Sequence, residues 1–127
     1  MNALGYYEPC INGQKVDDYV LALAVVDYFK RNCYLTHDIT GYLVQGRNTV
    51  ELWLGRGWYV RGHPGVVYDG PLARAQLDIT LPDGKAVAVG TDSTWKAKAS
   101  PITPLGRGTA FGDYGGEHYD ARLEVKE

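Results

Sequence analysis

Cysteine is scarce in this sequence, where Cys10 and Cys33 are the two cysteines in 127 residues. Two cysteines are too few for a disulfide framework, and neither lies in a CxxC or metal-ligand spacing. We therefore expect two buried thiols, with a single bridge between neighbouring strands as the alternative.

The sequence also lacks an excess of positive charge and a long apolar run. Lys and Arg total 13 against 15 Asp and Glu, which gives a formal net charge of −2. This balance provides no basic surface, so nucleic acids and anionic membranes are poor candidate partners. The longest apolar run is interrupted by Asp27 and is far too short to cross a bilayer, and no signal peptide opens the chain.

Glycine and tyrosine, in contrast, are abundant. The chain contains 16 Gly, 6 Pro, 10 Tyr and 3 Trp, a composition that favours many short strands with tight turns over long helices. Its length is that of one domain with one core. We therefore predict a single all-β domain over residues 1–127, built as a mostly antiparallel β-sandwich or jelly roll.

Residues 48–59 contain the strand around which we expect the domain to be organised. Apolar side chains at alternate positions from Val50 to Leu54 share one face of an extended strand. A Gly-Arg-Gly step at 55–57 then ends the strand and delivers Trp58 and Tyr59 at its end. Two roles are open for this aromatic pair, which are burial as a lid on the core and contact with a ligand.

Turn chemistry predicts two hairpins. Residues 3–11 are extended, and Asn12-Gly13 favours a type I′ turn into a returning strand. Residues 74–81 alternate as a strand, and Pro82-Asp83-Gly84 turns the chain into a second strand over 85–90.

The other segments carry weaker signals. Residues 19–31, read alone, favour a short helix because Leu, Ala and Lys are good helix formers. Short extended segments are predicted at 32–38, 95–97 and 118–125. We also expect a capped helical turn that begins at Asp38 and a long surface loop over 61–71.

Few residues point to metal binding or catalysis. The three histidines are far apart in sequence with no neighbouring Cys or His, so a zinc site is not expected. No nucleophile elbow, Walker sequence or dinucleotide fingerprint is present. Asp113, Glu117 and Asp120 lie among three glycines and could supply oxygen ligands to calcium. The alternative, which we favour, is a structural role in which Asp120 pairs with Arg122 or binds loop backbone.

Four blocks of sequence then suggest a family. They are residues 3–8 (ALGYYE), 11–16 (INGQKV), 48–59 (NTVELWLGRGWY) and 116–124 (GEHYDARLE). Together they resemble, in the same order, the N-terminal domain of bacterial α-L-rhamnosidases, which belong to glycoside hydrolase family 78. The resemblance covers nearly the whole chain, and the four blocks together are far more specific than an Asn-Gly hairpin or a Gly-rich turn alone.

The resemblance implies a galactose-binding-like β-sandwich beside an (α/α)₆ barrel that carries the catalytic carboxylates. Glycoside hydrolysis normally needs two carboxyl groups across a sugar site, and nothing in the sequence pairs any two of the acidic residues, so we expect this chain to be noncatalytic. The implied role is carbohydrate recognition or substrate positioning in an α-L-rhamnosidase-like hydrolase. The alternatives are a purely structural domain that buttresses the absent barrel and a free-standing lectin-like protein.

The resemblance also implies partners and a compartment. The expected partners are an L-rhamnose-containing glycan or another sugar, and the catalytic barrel of a parent chain. No cofactor is required, and calcium, which assists L-rhamnose binding in some related modules, is an optional ion. The parent enzyme is expected in the periplasm or another extracytoplasmic compartment. Met1-Asn2 stands where the family has most of a further strand, so the chain looks like an excised piece whose open sheet edge would allow a dimer.

Two departures from the family pattern affect the expected site. Residues 20–28 (VLALAVVDY) stand where the family reads VLAPGWTDY, so Pro-Gly-Trp is lost while Asp27 and Tyr28 remain. Following the family, we expect a loop that leads to a strand here, in place of the helix. Arg56 stands where the family often has Asn, which exchanges a neutral amide for a planar cation.

The predicted site binds sugar by stacking at the end of the strand in residues 48–59. A pyranose ring presents an apolar C–H face to Trp or Tyr, while Arg and Asp bond its hydroxyls. The candidate ligand-binding residues are Asp27, Arg56, Trp58, Tyr59 and Arg61. Core packing of the two aromatic rings and solvation of the two arginines are the alternatives, and we predict no catalytic residue and no metal ligand.

Overall fold

The structure is a computed structural model that describes residues 1–57, 59, 65–68, 70–104 and 117–124. These residues contain nine β-strands and two 3₁₀ turns, and none of their helical segments is long or apolar enough to cross a membrane. Every strand pair is antiparallel, which confirms the all-β, antiparallel fold class. The chain divides into two units, Met1–Thr94 and Trp95–Glu127, which are described separately.

The described part of the first unit has seven strands in three sheets. In chain order the strands are β1 (Asn2–Leu4), β2 (Tyr6–Ile11), β3 (Gln14–Lys15), β4 (Val50–Gly55), β5 (Leu72–Arg74), β6 (Gln76–Thr80) and β7 (Ala86–Gly90). A 3₁₀ turn, Thr40–Tyr42, lies between β3 and β4, where a helical turn after Asp38 was predicted. The sheets have the strand orders β1-β5, β3-β2-β4 and β6-β7.

β2 is the centre of the three-stranded sheet. Tyr7 and Ile11 on one of its faces are 3% and 0% exposed, so this face belongs to the core. β4 pairs with β2 from Tyr6 opposite Gly55 to Ile11 opposite Val50. The predicted alternation along β4 is confirmed, since its even-numbered residues are half-buried and its odd-numbered residues are exposed.

The β2–β3 hairpin turns at Asn12 and Gly13, whose φ angles of 52° and 74° are both positive. Positive φ at both central residues is the mark of a type I′ turn, so this prediction is confirmed. The Asn12 side chain also fastens the turn to the chain that leads into β4. Its Nδ2 donates to Tyr42 O at 3.0 Å and to Asn48 Oδ1 at 2.9 Å, and its Oδ1 accepts from Thr49 N at 2.8 Å.

The core beside β2 is completed by the loop over residues 19–31. Leu23 from this loop is buried in one cluster with Ala3 and Tyr7, and Tyr7 N donates to Ala22 O at 2.9 Å. No helix forms in these residues, so the helical interpretation is wrong. The loop expected from the family resemblance is correct, but the strand to which it was expected to lead does not form. Cys33, which packs at the edge of the cluster, is a free thiol, as is Cys10.

The extended chain of β5 and β6 changes partners at Ala75. β5 pairs with β1 and β6 pairs with β7, while Ala75 between them is 2% exposed. Thr91 N donates to Ala75 O at 3.0 Å, which continues the β6–β7 ladder by one residue. The prediction of one strand over 74–81 is therefore wrong, because the buried alanine separates two short strands in two sheets. The turn at Pro82-Asp83-Gly84 is confirmed.

Residues 32–38 alternate as predicted but form no strand. Their odd-numbered residues from Cys33 to His37 are more buried than their even-numbered residues, which are exposed. Met1 and Leu35 exchange one pair of backbone hydrogen bonds, and Cys33 O accepts from the Asn2 side chain where a strand would supply a backbone N–H. The strand prediction is wrong because the backbone hydrogen bonds of this segment do not form the regular ladder of a β-sheet.

The second unit pairs β8 (Ile102–Pro104) with β9 (Glu117–Tyr119) and ends in a 3₁₀ turn, Ala121–Leu123. Asp120 accepts from Arg122 N at 3.1 Å and from Arg122 Nε and Nη2 at 2.8 and 2.6 Å, which lowers the pKa of its carboxyl. This is the structural role that we favoured for Asp120. Asp113 lies outside the described residues, and residues 95–97 form no strand.

Candidate functional site

Tyr28 and Tyr59 meet where β4 ends. Their ring centroids are 5.4 Å apart at an interplanar angle of 81°, an edge-to-face contact. Tyr59 N donates to Arg56 O at 2.8 Å, which folds the chain tightly after β4. Burial raises the pKa of Tyr28, and the neighbouring Tyr6 and Tyr59 add to the shift. The loop over 19–31 therefore reaches the strand end where the sequence predicts a site.

Gly65 holds a third chain segment against the same loop. Its φ of +84° is in the left-handed region, and an added Cβ would lie 2.6 Å from Phe29 N and 2.7 Å from Tyr28 C. Such distances leave no room for a side chain. Tyr68 N, a few residues on, donates to the Tyr59 hydroxyl at 3.4 Å. Three segments thus converge at the end of β4.

Asp27 lies on a tight turn beside this contact. Its Oδ1 accepts from Phe29 N at 3.1 Å, and its Oδ2 lies 3.3 Å from Lys30 Nζ. Its main-chain oxygen accepts from Lys30 N at 2.9 Å and from Arg31 N at 3.1 Å. The backbone of this turn is therefore fixed, while 42% of the Asp27 side chain stays exposed.

Asp27, Tyr28, Arg56 and Tyr59 form what we call the strand-end cluster. Two of the predicted ligand residues belong to it: Asp27 directly precedes Tyr28, and Arg56, which is exposed, accepts from Tyr59 N through its main-chain oxygen. Trp58 and Arg61, also predicted as ligand residues, lie outside the described residues.

The Tyr59 ring is 1% exposed. A ring this deeply buried presents no face on which a sugar could stack, so the packing alternative is the one that the structure favours for Tyr59. Its contribution to the strand-end cluster is to position Tyr28 and the backbone around Arg56. A direct ligand contact by Tyr59 stays a prediction that the geometry does not favour.

A hydrogen-bonded chain, which the sequence reasoning missed, runs from the exposed Asp17 through His37 to the buried Tyr7. His37 Nδ1 lies 2.5 Å from Asp17 Oδ2, and the Tyr7 hydroxyl lies 2.8 Å from His37 Nε2. A carboxylate can only accept, so Nδ1 donates to Asp17, and a neutral imidazole then accepts the Tyr7 hydroxyl at Nε2. Burial and the charge of Asp17 raise the pKa of Tyr7 to about 12.

The one sequence signal for this chain was the position of His37 on the inward face of residues 32–38. Its partners lie 20 and 30 residues away along the chain, beyond the reach of any local pattern. The His37 side chain is 3% exposed and both its ring nitrogens are engaged. The Tyr7–His37 end of the chain is therefore buried, and this contact joins residues 32–38 to β2.

The described residues offer no candidate metal centre. No three or more His, Cys, Asp or Glu side chains among them are placed to hold a metal ion. Hydrogen bonds from Thr40 and Thr94 lower the pKa of Asp38 and Asp92, respectively. A glycosidase general acid needs the opposite shift, a raised carboxyl pKa.

The sequence and the structure were compared with known proteins. The family model described as the alpha-L-rhamnosidase N-terminal domain matches residues 1–127. An alpha-L-rhamnosidase of Formosa agariphila is 36% identical over 96% of the chain, and one of Streptomyces avermitilis is 33% identical over 97%. The chain spans 13% and 12% of the lengths of these two proteins.

Solved structures agree with these sequence matches. The alpha-L-rhamnosidase of Dictyoglumus thermophilum has a TM-score of 0.84 with 34% identity over 98% of the chain. The Streptomyces avermitilis alpha-L-rhamnosidase in complex with L-rhamnose has a TM-score of 0.80 with 32% identity over 97% of the chain. The chain covers 13% and 12% of these two structures, so the likeness concerns a small part of each.

Proposed function

Because this chain belongs to the alpha-L-rhamnosidase N-terminal domain family, we propose that it is a noncatalytic carbohydrate-recognition domain that positions substrate for an α-L-rhamnosidase-like glycoside hydrolase. The observation that supports the proposal is the convergence of three chain segments at the end of β4, where Asp27 precedes Tyr28 in the chain and Arg56 O accepts from Tyr59 N. The ligand is L-rhamnose within a glycan or a related sugar.

The strand-end cluster has the chemistry that a pyranose needs. Asp27 is fixed on a tight turn with its carboxylate partly exposed, so it can accept bonds from sugar hydroxyls at little cost in ordering. Arg56 supplies a planar hydrogen-bond donor. Trp58 supplies the flat apolar face for stacking, which Tyr59 does not offer because it is buried. Recognition therefore depends on Asp27, Arg56 and Trp58, with Arg61 as a further donor.

The noncatalytic part of the proposal has two supports. The chain matches about an eighth of the length of its relatives, and the described carboxyl groups with a shifted pKa all have it lowered. The reaction then belongs to the catalytic barrel of a parent chain. We also propose calcium as an assisting ion at most, and a periplasmic or other extracytoplasmic location for the parent enzyme.

A purely structural role is the second candidate, and one observation favours it. The loop over 19–31 exposes a run of large apolar side chains, which are Tyr19, Val20, Leu21, Val25 and Phe29. Phe29 is 75% exposed, and apolar surface of this kind is typical of a face that packs against another domain. In this alternative the loop buttresses the barrel and the domain binds no sugar itself.

Titration of the isotope-labelled domain with L-rhamnose, followed by NMR with and without calcium, tests the proposal. We expect saturable binding that is lost in Trp58→Ala and weakened in Asp27→Asn, an exchange that keeps the Oδ1 acceptor for Phe29 N. Trp53→Ala is the matched control, because Trp53 is a 42% exposed tryptophan on the exposed face of β4. Calcium acts as an assisting ion if it tightens binding and a chelator reverses the effect.

Absence of binding by the folded domain at millimolar sugar would overturn the recognition proposal and leave the structural role. Equal loss of binding in Trp53→Ala and Trp58→Ala would contradict the placement of the site at the strand end.

A further inference from the structure

A second concave surface lies beside β5 and β6, apart from the strand-end cluster. It is a groove of about 590 Å³, within the size range of small-molecule sites. Its polar lining includes Tyr34, Thr36, Arg74, Gln76 and Asp78, and its apolar lining includes Leu77. None of these residues belongs to the strand-end cluster, so any ligand here would have its own contacts.

Most polar side-chain groups of the groove can still form hydrogen bonds with a ligand. The guanidinium of Arg74 forms no hydrogen bond or ion pair with any residue that the structure describes. Gln76 Nε2 donates to Asp78 Oδ1 at 2.8 Å, which fixes these two side chains relative to each other. The Gln76 amide oxygen and the second Asp78 oxygen stay available as acceptors. The groove thus offers a planar cationic donor next to two oriented acceptors.

Tyr34 adds an aromatic face to this polar set. Its side chain is 73% exposed although it lines a concave surface, and it forms no hydrogen bond with the described residues. A core role does not account for so exposed a ring. An accessible aromatic ring beside planar polar side chains suits a pyranose, which stacks its C–H face and bonds its hydroxyls sideways.

The spacing of the polar residues indicates the length of the ligand. Arg74, Gln76 and Asp78 are alternate residues of one extended segment, and all three are exposed. Alternate residues of an extended chain are about 6.6 Å apart, so the row, which passes from β5 to β6 at Ala75, extends for about 13 Å. This length exceeds one sugar ring, and the opposite charges of Arg74 and Asp78 favour a ligand without net charge.

From these observations we infer that the groove formed by Tyr34, Arg74, Gln76 and Asp78 binds a neutral oligosaccharide of at least two sugar units. The inference rests on the proposed carbohydrate role and extends it to a second surface. The strand-end cluster would hold a single sugar, and the groove a longer portion of the glycan.

The test is an NMR titration of the domain with L-rhamnose and, separately, with a rhamnose-containing disaccharide. We expect the disaccharide to shift the amide signals of residues 34–36 and 74–78 saturably. Tyr34→Ala and Arg74→Gln should each weaken this binding by about tenfold, the effect of losing one stacking or charged contact. Tyr34→Phe keeps the ring and should bind nearly as well as the unaltered domain.

Binding at the two surfaces can be distinguished, because each surface has its own set of amide signals. Shifts at residues 27–31 and 55–59 without shifts in the groove would overturn the groove inference and leave the proposed function intact. Groove shifts that survive Tyr34→Ala and Arg74→Gln would also overturn it, since the named contacts would not be responsible. If the amide signals of neither set of residues shift with either sugar, both proposals are refuted.

Discussion

Replacement of Tyr7 by Phe removes the hydroxyl at the buried end of the Asp17–His37–Tyr7 chain and leaves the ring in place. Tyr7 is 3% exposed, and its hydroxyl lies 2.8 Å from His37 Nε2. The His37 side chain is also 3% exposed, so no water replaces the lost donor at low cost. A buried polar group left without its partner costs about 1–3 kcal/mol. We expect Tyr7→Phe to lower the free energy of unfolding by that amount.

Denaturant unfolding followed by tryptophan fluorescence measures this loss. Tyr34→Phe is the matched control, because Tyr34 is 73% exposed and its hydroxyl has no hydrogen bond with a described residue. The free energy of unfolding of the control should be within about 0.5 kcal/mol of that of the unaltered domain. Equal stability of the two variants would refute the argument that the buried Tyr7–His37 contact holds residues 32–38 against β2.

The same residue predicts the response to alkaline pH. The pKa of Tyr7 is raised from 10.0 to about 12, first by burial and then by the charge of Asp17. The folded state therefore holds this proton more tightly than the unfolded chain, so its stabilising contribution is complete below pH 10.0 and is lost as pH rises to about 12. Stability measured over this range should fall less steeply in Tyr7→Phe than in the unaltered domain, and parallel curves would contradict the assignment.

Three further substitutions test the fold. Gly13→Ala should lower the free energy of unfolding by about 1–2 kcal/mol, because its φ of +74° in the type I′ turn is unfavourable for a residue with a Cβ. Gly65→Ala should destabilise the domain more than Gly84→Ala in thermal unfolding. The two glycines have φ of +84° and +82°, but only Gly65 has backbone within 3 Å of the added Cβ, and equal losses would argue against its close approach to Tyr28. Ala75→Leu should cost about 1–3 kcal/mol by overpacking the junction of β5 and β6, and a neutral result would show that the junction is loose.

The sequence predicted the local features of the fold because their causes are local. Asn12-Gly13 and Pro82-Asp83-Gly84 determine their turns through backbone preferences of the turn residues themselves. The alternation along residues 50–55 follows from the two faces of one strand. Residues 19–31 were the exception, because their local preference for helix did not predict their structure. The contact of Leu23 with the core beside Tyr7 overrides that preference.

The features that the sequence missed depend on distant partners. No pattern within residues 74–81 shows that the partner strand changes at Ala75, since β1 is some seventy residues earlier in the chain. Burial of Tyr59 likewise requires Tyr28 from another loop. The candidate site was therefore predicted by resemblance and by strand-end position, while the division between packing and exposed side chains required the structure.

The side chain of Asn12 has a consequence for sequence design. Asp-Gly and Asn-Gly are near equivalents in type I′ turns, so a consensus built from turn preferences would treat Asp at this position as neutral. An Asp side chain could still accept from Thr49 N, but it could donate neither to Tyr42 O nor to Asn48 Oδ1. Only an amide serves all three neighbours at once. The hairpin and the entry into β4 must therefore be grafted or redesigned together.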